Sequence, residues 1–208
     1  MDDPPITPEE QAEADRFYQA FGRTLGQWGL LEYYLGLMFQ QITNMEEVVS
    51  RNVFHSARSW RARYDMLTGG LNGSASRPGV VTSWREIVNT ANQYSAFRNI
   101  LAHDQVQLGR DFENRRVLVI RPPRADLDIL SPHPIIRRPD IETAGENFKL
   151  LGALVVQAIK WPPDDQLGAP ERLIWLNAQL PNPPHSKRVD PTVVEQFSLG
   201  LERQPFPA

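Results

Sequence analysis

Tyr94-Ser95-Ala96-Phe97-Arg98-Asn99-Ile100-Leu101-Ala102-His103 is the stretch that decides how this chain is read. It continues a helical pattern in which Trp84, Val88, Ala91 and Ser95 recur on one face, with Ser83 or Thr82 as the expected cap. Arg98 falls in phase with that stripe, so a cation stands where apolar side chains are expected. A buried guanidinium is costly without an anion beside it, which makes an acidic partner part of the expectation. His103 follows five residues later and lies roughly 140° around the helix, so the two side chains do not share a face. They can converge on one ligand if the helix breaks near His103, or if a second copy of the stretch comes from another subunit.

Working outward toward the N-terminus, Thr7-Pro8-Glu9-Glu10 is a start signal: Thr7 as N-cap, Pro8 at the first helical position, Glu10 closing a capping box. Phe17, Phe21, Leu25, Trp28, Leu31, Leu35, Met38 and Ile42 then recur in steps of three and four, which predicts one long helix, curved or broken near Gly22, Gly26 or Gly29. Glu32 sits beside that stripe and is the acid expected to meet Arg98. Val49, Val53, Ala57, Trp60, Tyr64, Leu67 and Leu71 predict a second continuous helix. Arg51, Arg58, Arg61, Arg63 and His55 lie along it with no acid among residues 50–64. Arg51, His55 and Arg58 are placed on the face opposite the stripe, flanked by Arg61 and Arg63. Such a single-sign run is either a solvated face or a track for a polyanion. Gly69 to Gly79 reads as a connector, since it lacks the Gly-Lys-Ser/Thr ending of a phosphate loop.

Downstream of His103 the period changes to two. Val106 and Leu108, then Val117 to Ile120, predict a β-hairpin over about 105–121. Residues 122–139 hold five prolines and are expected to be irregular. Asp140 starts a last long helix carrying Ile141, Ala144, Phe148, Leu151, Val155 and Ala158, stopped by Pro162-Pro163. The expected architecture is mainly α: an antiparallel helical bundle of about four main helices over 1–161, with a small hairpin insert. A proline-rich tail over 162–208 is expected to be extended, with short helices near 170–180 and 191–200.

Composition narrows the chemistry. The chain has 208 residues, a formal net charge of −3 and no cysteine, so disulfides and thiolate metal sites are excluded. An acidic start with no apolar run after it gives no secretory leader or membrane span, and a cytoplasmic location is the expectation. The negative balance argues against passive coating of nucleic acid. Nonetheless 19 of the 22 basic residues are arginine, the side chain suited to bidentate phosphate recognition. His55, His103, His133 and His185 are scattered, with no metal-ligand spacing, no serine elbow and no dinucleotide fingerprint. No cofactor is expected.

Phe97-Arg98-Asn99-Ile100-Leu101-Ala102-His103 resembles the signature of the HEPN superfamily, small helical proteins marked by an Arg-x(4–6)-His motif whose second position is often asparagine. The resemblance spans the helices from about 8 to 160, and the Trp28-x-x-Leu31-Glu32 turn suits it. The hairpin and the tail fall outside it. It implies a metal-independent endoribonuclease, of a kind used as toxins in toxin–antitoxin or antiphage systems; other members only bind or scaffold. Its catalytic residues would be Arg98, Asn99 and His103, supported by Glu32, with Arg51, His55, Arg58 and Arg61 contacting RNA. The implied partners are RNA, a second copy in a homodimer, and an antitoxin protein.

Overall fold

The computed structural model describes residues 5–76, 78–110, 115–121 and 136–160. The hairpin turn at 111–114, the proline-rich segment up to 135 and the tail with its expected short helices lie outside these residues. The described chain is mainly helical with one small antiparallel hairpin. Its elements are α1 (Pro8–Thr43), α2 (Glu47–Ser56), α3 (Trp60–Gly73), α4 (Pro78–His103), β1 (Gln105–Arg110), β2 (Arg116–Arg121) and α5 (Arg138–Lys160).

Helix α1 begins as its sequence dictates. Glu10 N donates to Thr7 Oγ1 at 3.2 Å and Thr7 N donates to Glu10 Oε2 at 2.9 Å, which satisfies two otherwise orphaned amides. The helix stops at Asn44, whose left-handed backbone (φ 52°) turns the chain. It runs without interruption through Gly22, Gly26 and Gly29, so of the two expected outcomes there the break does not occur. A Cβ on any of these three would meet nothing within 4 Å. Each glycine costs roughly 1 kcal/mol relative to alanine in a helix interior, and no packing within the described chain compensates for it.

The expected second helix is two helices. Ala57 is extended at φ −67°, ψ 116°, and Ser59 caps a new helix by accepting from Ala62 N at 3.2 Å. The period-3.6 stripe continues numerically across the break, which is why the sequence hid it. The two halves bury different faces: α2 buries Ser50 and Phe54, while Val49 and Val53, expected in the core, are 49% and 37% exposed. The described residues therefore hold five helices, one more than the four main helices expected.

Contacts fix their directions. Trp28 packs on Trp60, Glu32 meets Arg63, and Gly70 abuts Ile42, so α3 runs parallel to α1. Thr24 meets Ile141, Trp28 meets Phe148 and Tyr34 meets Gly152, so α5 is also parallel to α1. Trp60 Nε1 donates to Asn92 Oδ1 at 2.9 Å and Tyr64 Oη pairs with Asn89, so α4 runs the opposite way. Helix α2 is a short return stroke against Gly36 that lets α3 start beside Trp28. An all-antiparallel arrangement is therefore not what forms. The α1–α5 seam is close because Gly145 leaves room: a Cβ there would lie 2.6 Å from Thr24 Oγ1, which donates to Ile141 O at 2.9 Å.

All five helices contribute to one core, centred on Trp28, Trp60, Tyr94 and Phe148. Edge-on ring contacts of this kind add about 0.5–1.5 kcal/mol each beyond burial. Burial also pushes the Tyr94 hydroxyl up to about 12. The hairpin forms in the expected place, with Val106 opposite Ile120 and Leu108 opposite Leu118. It sits beside the start of α1: Arg116 Nε reaches Glu10 Oε1 at 3.1 Å, and Arg138 Nε at the start of α5 reaches Glu13 Oε1 at 2.8 Å. The end of α4 is thereby placed near the first turns of α1. Among the described residues no helix is long and apolar enough to cross a membrane.

Candidate active site

The Arg98–His103 stretch closes α4. Ile87, Val88, Ala91, Tyr94, Phe97 and Leu101 are buried along that helix, and Arg98 lies in the same phase. It is only half-buried because it sits in the last turns, where a long side chain can carry its charge out to water. Its Nη1 donates to Asn99 Oδ1 at 3.2 Å. Asn99 and His103 are both exposed. The helix does not break before the histidine: it includes His103, and Asp104 N still donates to Ile100 O at 2.9 Å. Arg98 and His103 therefore remain on different sides of one intact helix, separated by about 7.5 Å of rise. Asn99 links them, being bonded to Arg98 and lying one turn before His103 on the same face.

The expected pairing of Arg98 with Glu32 does not occur. Glu32 Oε1 accepts from Arg63 Nη1 at 2.8 Å, with both side chains mostly buried at 15% and 17% exposure. The offset along the helices explains why. Trp28, Trp60 and Asn92 stand at one level. Glu32 lies a turn further along α1, while Arg98 lies six residues further along α4 in the opposite direction, an axial separation of about 15 Å. Among the described residues Arg98 and His103 make no ion pair. Nor does any group of histidine, aspartate and glutamate side chains there form a metal cage.

The helix break also redistributes the basic residues. Arg51 and His55 face α1 across a groove lined by Tyr33, Gly36, Leu37, Gln40, Glu47 and Ser50. His55 is held below the ordinary histidine value by burial first, then by Arg63 and Arg51, with Glu32 opposing. Arg51 approaches Glu47 at 3.8 Å. Arg58 is exposed in the break, and Arg61, on α3, pairs with Asp65 at 3.1 Å. Arg51, His55, Arg58 and Arg61 thus do not form one helical face. Helix α2 packs at the level of Gly36, so Arg51 and His55 stand on the order of 30 Å along the axis from His103. Sequence reasoning also missed Ser50, buried with no hydrogen-bond partner for its Oγ, and Arg63 as the true partner of Glu32.

No family model, curated protein or solved structure matches this chain.

The site is defined by its own geometry. One end of α4 offers a guanidinium without a carboxylate partner, an amide bonded to it, and an exposed imidazole one turn beyond that amide. These are the groups needed to bind a phosphoryl oxygen and move a proton beside it.

Proposed function

We propose that the chain is a metal-independent endoribonuclease of the HEPN type, acting as a toxin or antiphage component. The observation that carries this reading is the division of labour between the two arginines. Glu32, the acid that could have made Arg98 a structural residue, is held by Arg63. Arg98 is left at the surface end of α4 beside Asn99, with His103 one turn on.

RNA carries its own nucleophile, so cleavage needs proton transfer and charge stabilisation rather than a metal. The 2′-oxygen attacks the adjacent phosphorus as a base removes its proton; the bond from phosphorus to the 5′-oxygen breaks as an acid protonates the leaving oxygen. His103 serves as base or acid. Arg98 neutralises charge on the non-bridging phosphoryl oxygens, and Asn99 orients the imidazole from one turn below. One helix presents a single histidine at this place, so two copies of α4 meeting at their C-terminal ends across a two-fold axis would supply both proton-transfer groups. Arg58 and Arg61 extend a basic approach for RNA, with Arg51 and His55 at its far end. A neutralising antitoxin would cover the exposed motif.

The test mixes chains. His103→Ala and Arg98→Ala proteins should each be inactive on single-stranded RNA. Their mixture should regain part of the activity if one arginine and one histidine suffice across the axis, and stay inactive if each site needs both from both chains. Wild-type cleavage abolished by a chelator removes the metal-free mechanism. RNA binding retained by the wild type with no cleavage at any concentration makes the chain a binding module instead.

A further inference from the structure

The groove between α1 and α2 gathers polar side chains that the fold leaves unused. Gly36 and Gln40 stand on its α1 wall, and Ser50, Arg51 and His55 on its α2 wall. Ser50 is the anomaly. The nine other serines and threonines within the described helices each donate to a backbone carbonyl. That bond is the ordinary resort of a helical hydroxyl. Ser50 has Glu46 O within the same reach, already accepting from its own backbone N at 2.8 Å. Yet Ser50 Oγ has no hydrogen-bond partner, and the residue is 0% exposed. A hydroxyl in that state is costly unless a ligand meets it.

The groove's shape narrows the ligand. Its floor takes about one oxygen-sized atom, and the rest of its about 240 Å³ opens to solvent. Gly36 keeps that space: a Cβ there would lie 3.1 Å from Phe54 Cδ1 and 3.4 Å from His55 Nε2. The hydrogen-bonding inventory narrows it further. Gln40, Ser50, Arg51 and His55 can all donate. Among the described residues the side chains of Gln40, Ser50 and His55 make no hydrogen bond. Arg51 is uncommitted, since its nearest carboxylate, on Glu47, stands 3.8 Å away, past hydrogen-bond length. Arg63 and Glu32, which also act on His55, cancel as a pair. Four donors therefore surround a place for one oxygen, with Glu47 the lone acid on the rim. A planar carboxylate brings two oxygens to these donors; a tetrahedral phosphoryl group brings more and spreads them toward both walls.

We propose that the α1–α2 groove is a phosphoryl-binding site: one ligand oxygen accepts from Ser50 Oγ at the floor, and the others accept from Arg51, His55 and Gln40 at the rim. Charge-assisted bonds from a guanidinium to phosphate are the strong part of such a site. The groove stands on the order of 30 Å along the axis from His103, so it is separate from the Arg98–His103 site and does not rest on the ribonuclease reading. The group has two sources, free phosphate or a terminal phosphate monoester on one side and the phosphodiester backbone of RNA on the other. A diester keeps two unesterified oxygens for four donors, which favours the first source.

Inorganic phosphate titrated into the full chain at constant ionic strength, followed by amide chemical shifts, tests the site. Binding should saturate with a Kd on the order of 1 mM, modest because Glu47 opposes the anion. Ser50→Ala should weaken it about 5-fold and yet fold at least as stably as the wild type, because an orphaned hydroxyl is removed. Arg51→Gln should weaken it at least ~10-fold, and Glu47→Gln should tighten it several-fold. Acetate at the same concentrations should leave the amides of Ser50, Arg51 and His55 unshifted. Phosphate that fails to saturate these amides overturns the proposal, as does a loss in Arg51→Gln that Ser50→Ala does not share, which reduces the effect to rim charge. So does a Ser50→Ala chain less stable than the wild type, since its hydroxyl would then be satisfied within the fold. Single-stranded RNA with and without a 5′-phosphate separates the sources, with His103→Ala protein used to prevent cleavage. Displacement of phosphate by the phosphorylated strand alone supports the monoester; equal displacement by both strands overturns that choice in favour of the backbone. None of these readouts involves RNA cleavage, so failure here and failure of the ribonuclease reading are separable.

Discussion

Arg63 and Arg98 are the same side chain in two opposite situations. Arg63 lies between α1 and α3, mostly buried, bonded to Glu32 at 2.8 Å and with its guanidinium over the Phe54 ring at 5.8 Å. Arg98 sits in the core-facing phase of α4 but at the helix end, half-buried and bonded only to the neighbouring Asn99. The first has its charge spent inside the protein, so removing it should cost stability. The second has no carboxylate partner among the described residues, so under the proposed function removing it should cost activity rather than stability. Depth in the fold, rather than position on a helical wheel, separates the two.

The largest effect expected from this contrast is on activity. His103→Ala should reduce RNA cleavage by about 10²–10⁴-fold, the usual contribution of a general acid or base, and leave the melting temperature nearly unchanged because the side chain is exposed. A melting temperature that falls with the activity would make His103 a structural cap.

Stability gives the next test. Arg63→Ala leaves the carboxylate of Glu32 mostly buried and unpaired, and should destabilise by about 3 kcal/mol, the low end for a buried pair because both groups retain some exposure. Arg98→Ala should cost less than about 1 kcal/mol, read from the same denaturant titration, since no carboxylate is orphaned. Equal losses would erase the distinction.

A smaller change sharpens it. Replacing both partners, Glu32→Leu with Arg63→Met, should return stability to within about 1 kcal/mol of the wild type, because apolar groups of similar volume remove the desolvation cost together with the attraction. If the double variant is no better than Arg63→Ala, the pair does more than neutralise itself.

The smallest expected effect is one of pH. Burial and the nearby Arg63 and Arg51 hold His55 below its ordinary 6.5. A histidine whose folded value is depressed takes up its proton more readily when unfolded. Its contribution to stability is therefore complete above pH 6.5 and is lost as pH falls through the folded value. His55→Gln should flatten the stability profile on that acid side, measured by urea midpoints between pH 7 and 5. An unchanged slope would mean the groove is open enough to hydrate the imidazolium.

Local rules were legible in the chain itself. The Thr7–Glu10 capping box, the extent of α1, the hairpin and the start of α5 near Asp140 follow from patterns spanning a few residues, and each is where it was expected. So is the placement of Arg98 and His103 on different sides of one helix, because five residues fix the angle whatever surrounds it. The break at Ala57–Ser59 was not legible, since Val53, Ala57, Trp60 and Tyr64 keep helical spacing across it and periodicity reports angle without continuity. The Ser59 cap was the available signal. Nor could the sequence decide which arginine meets Glu32. Both Arg63 and Arg98 were available, and the choice depends on α3 running parallel to α1 so that Arg63 reaches the level of Glu32. Periodicity states which way a side chain points around its own axis; only packed helices decide what stands at the same height on the neighbour, and an ion pair needs both.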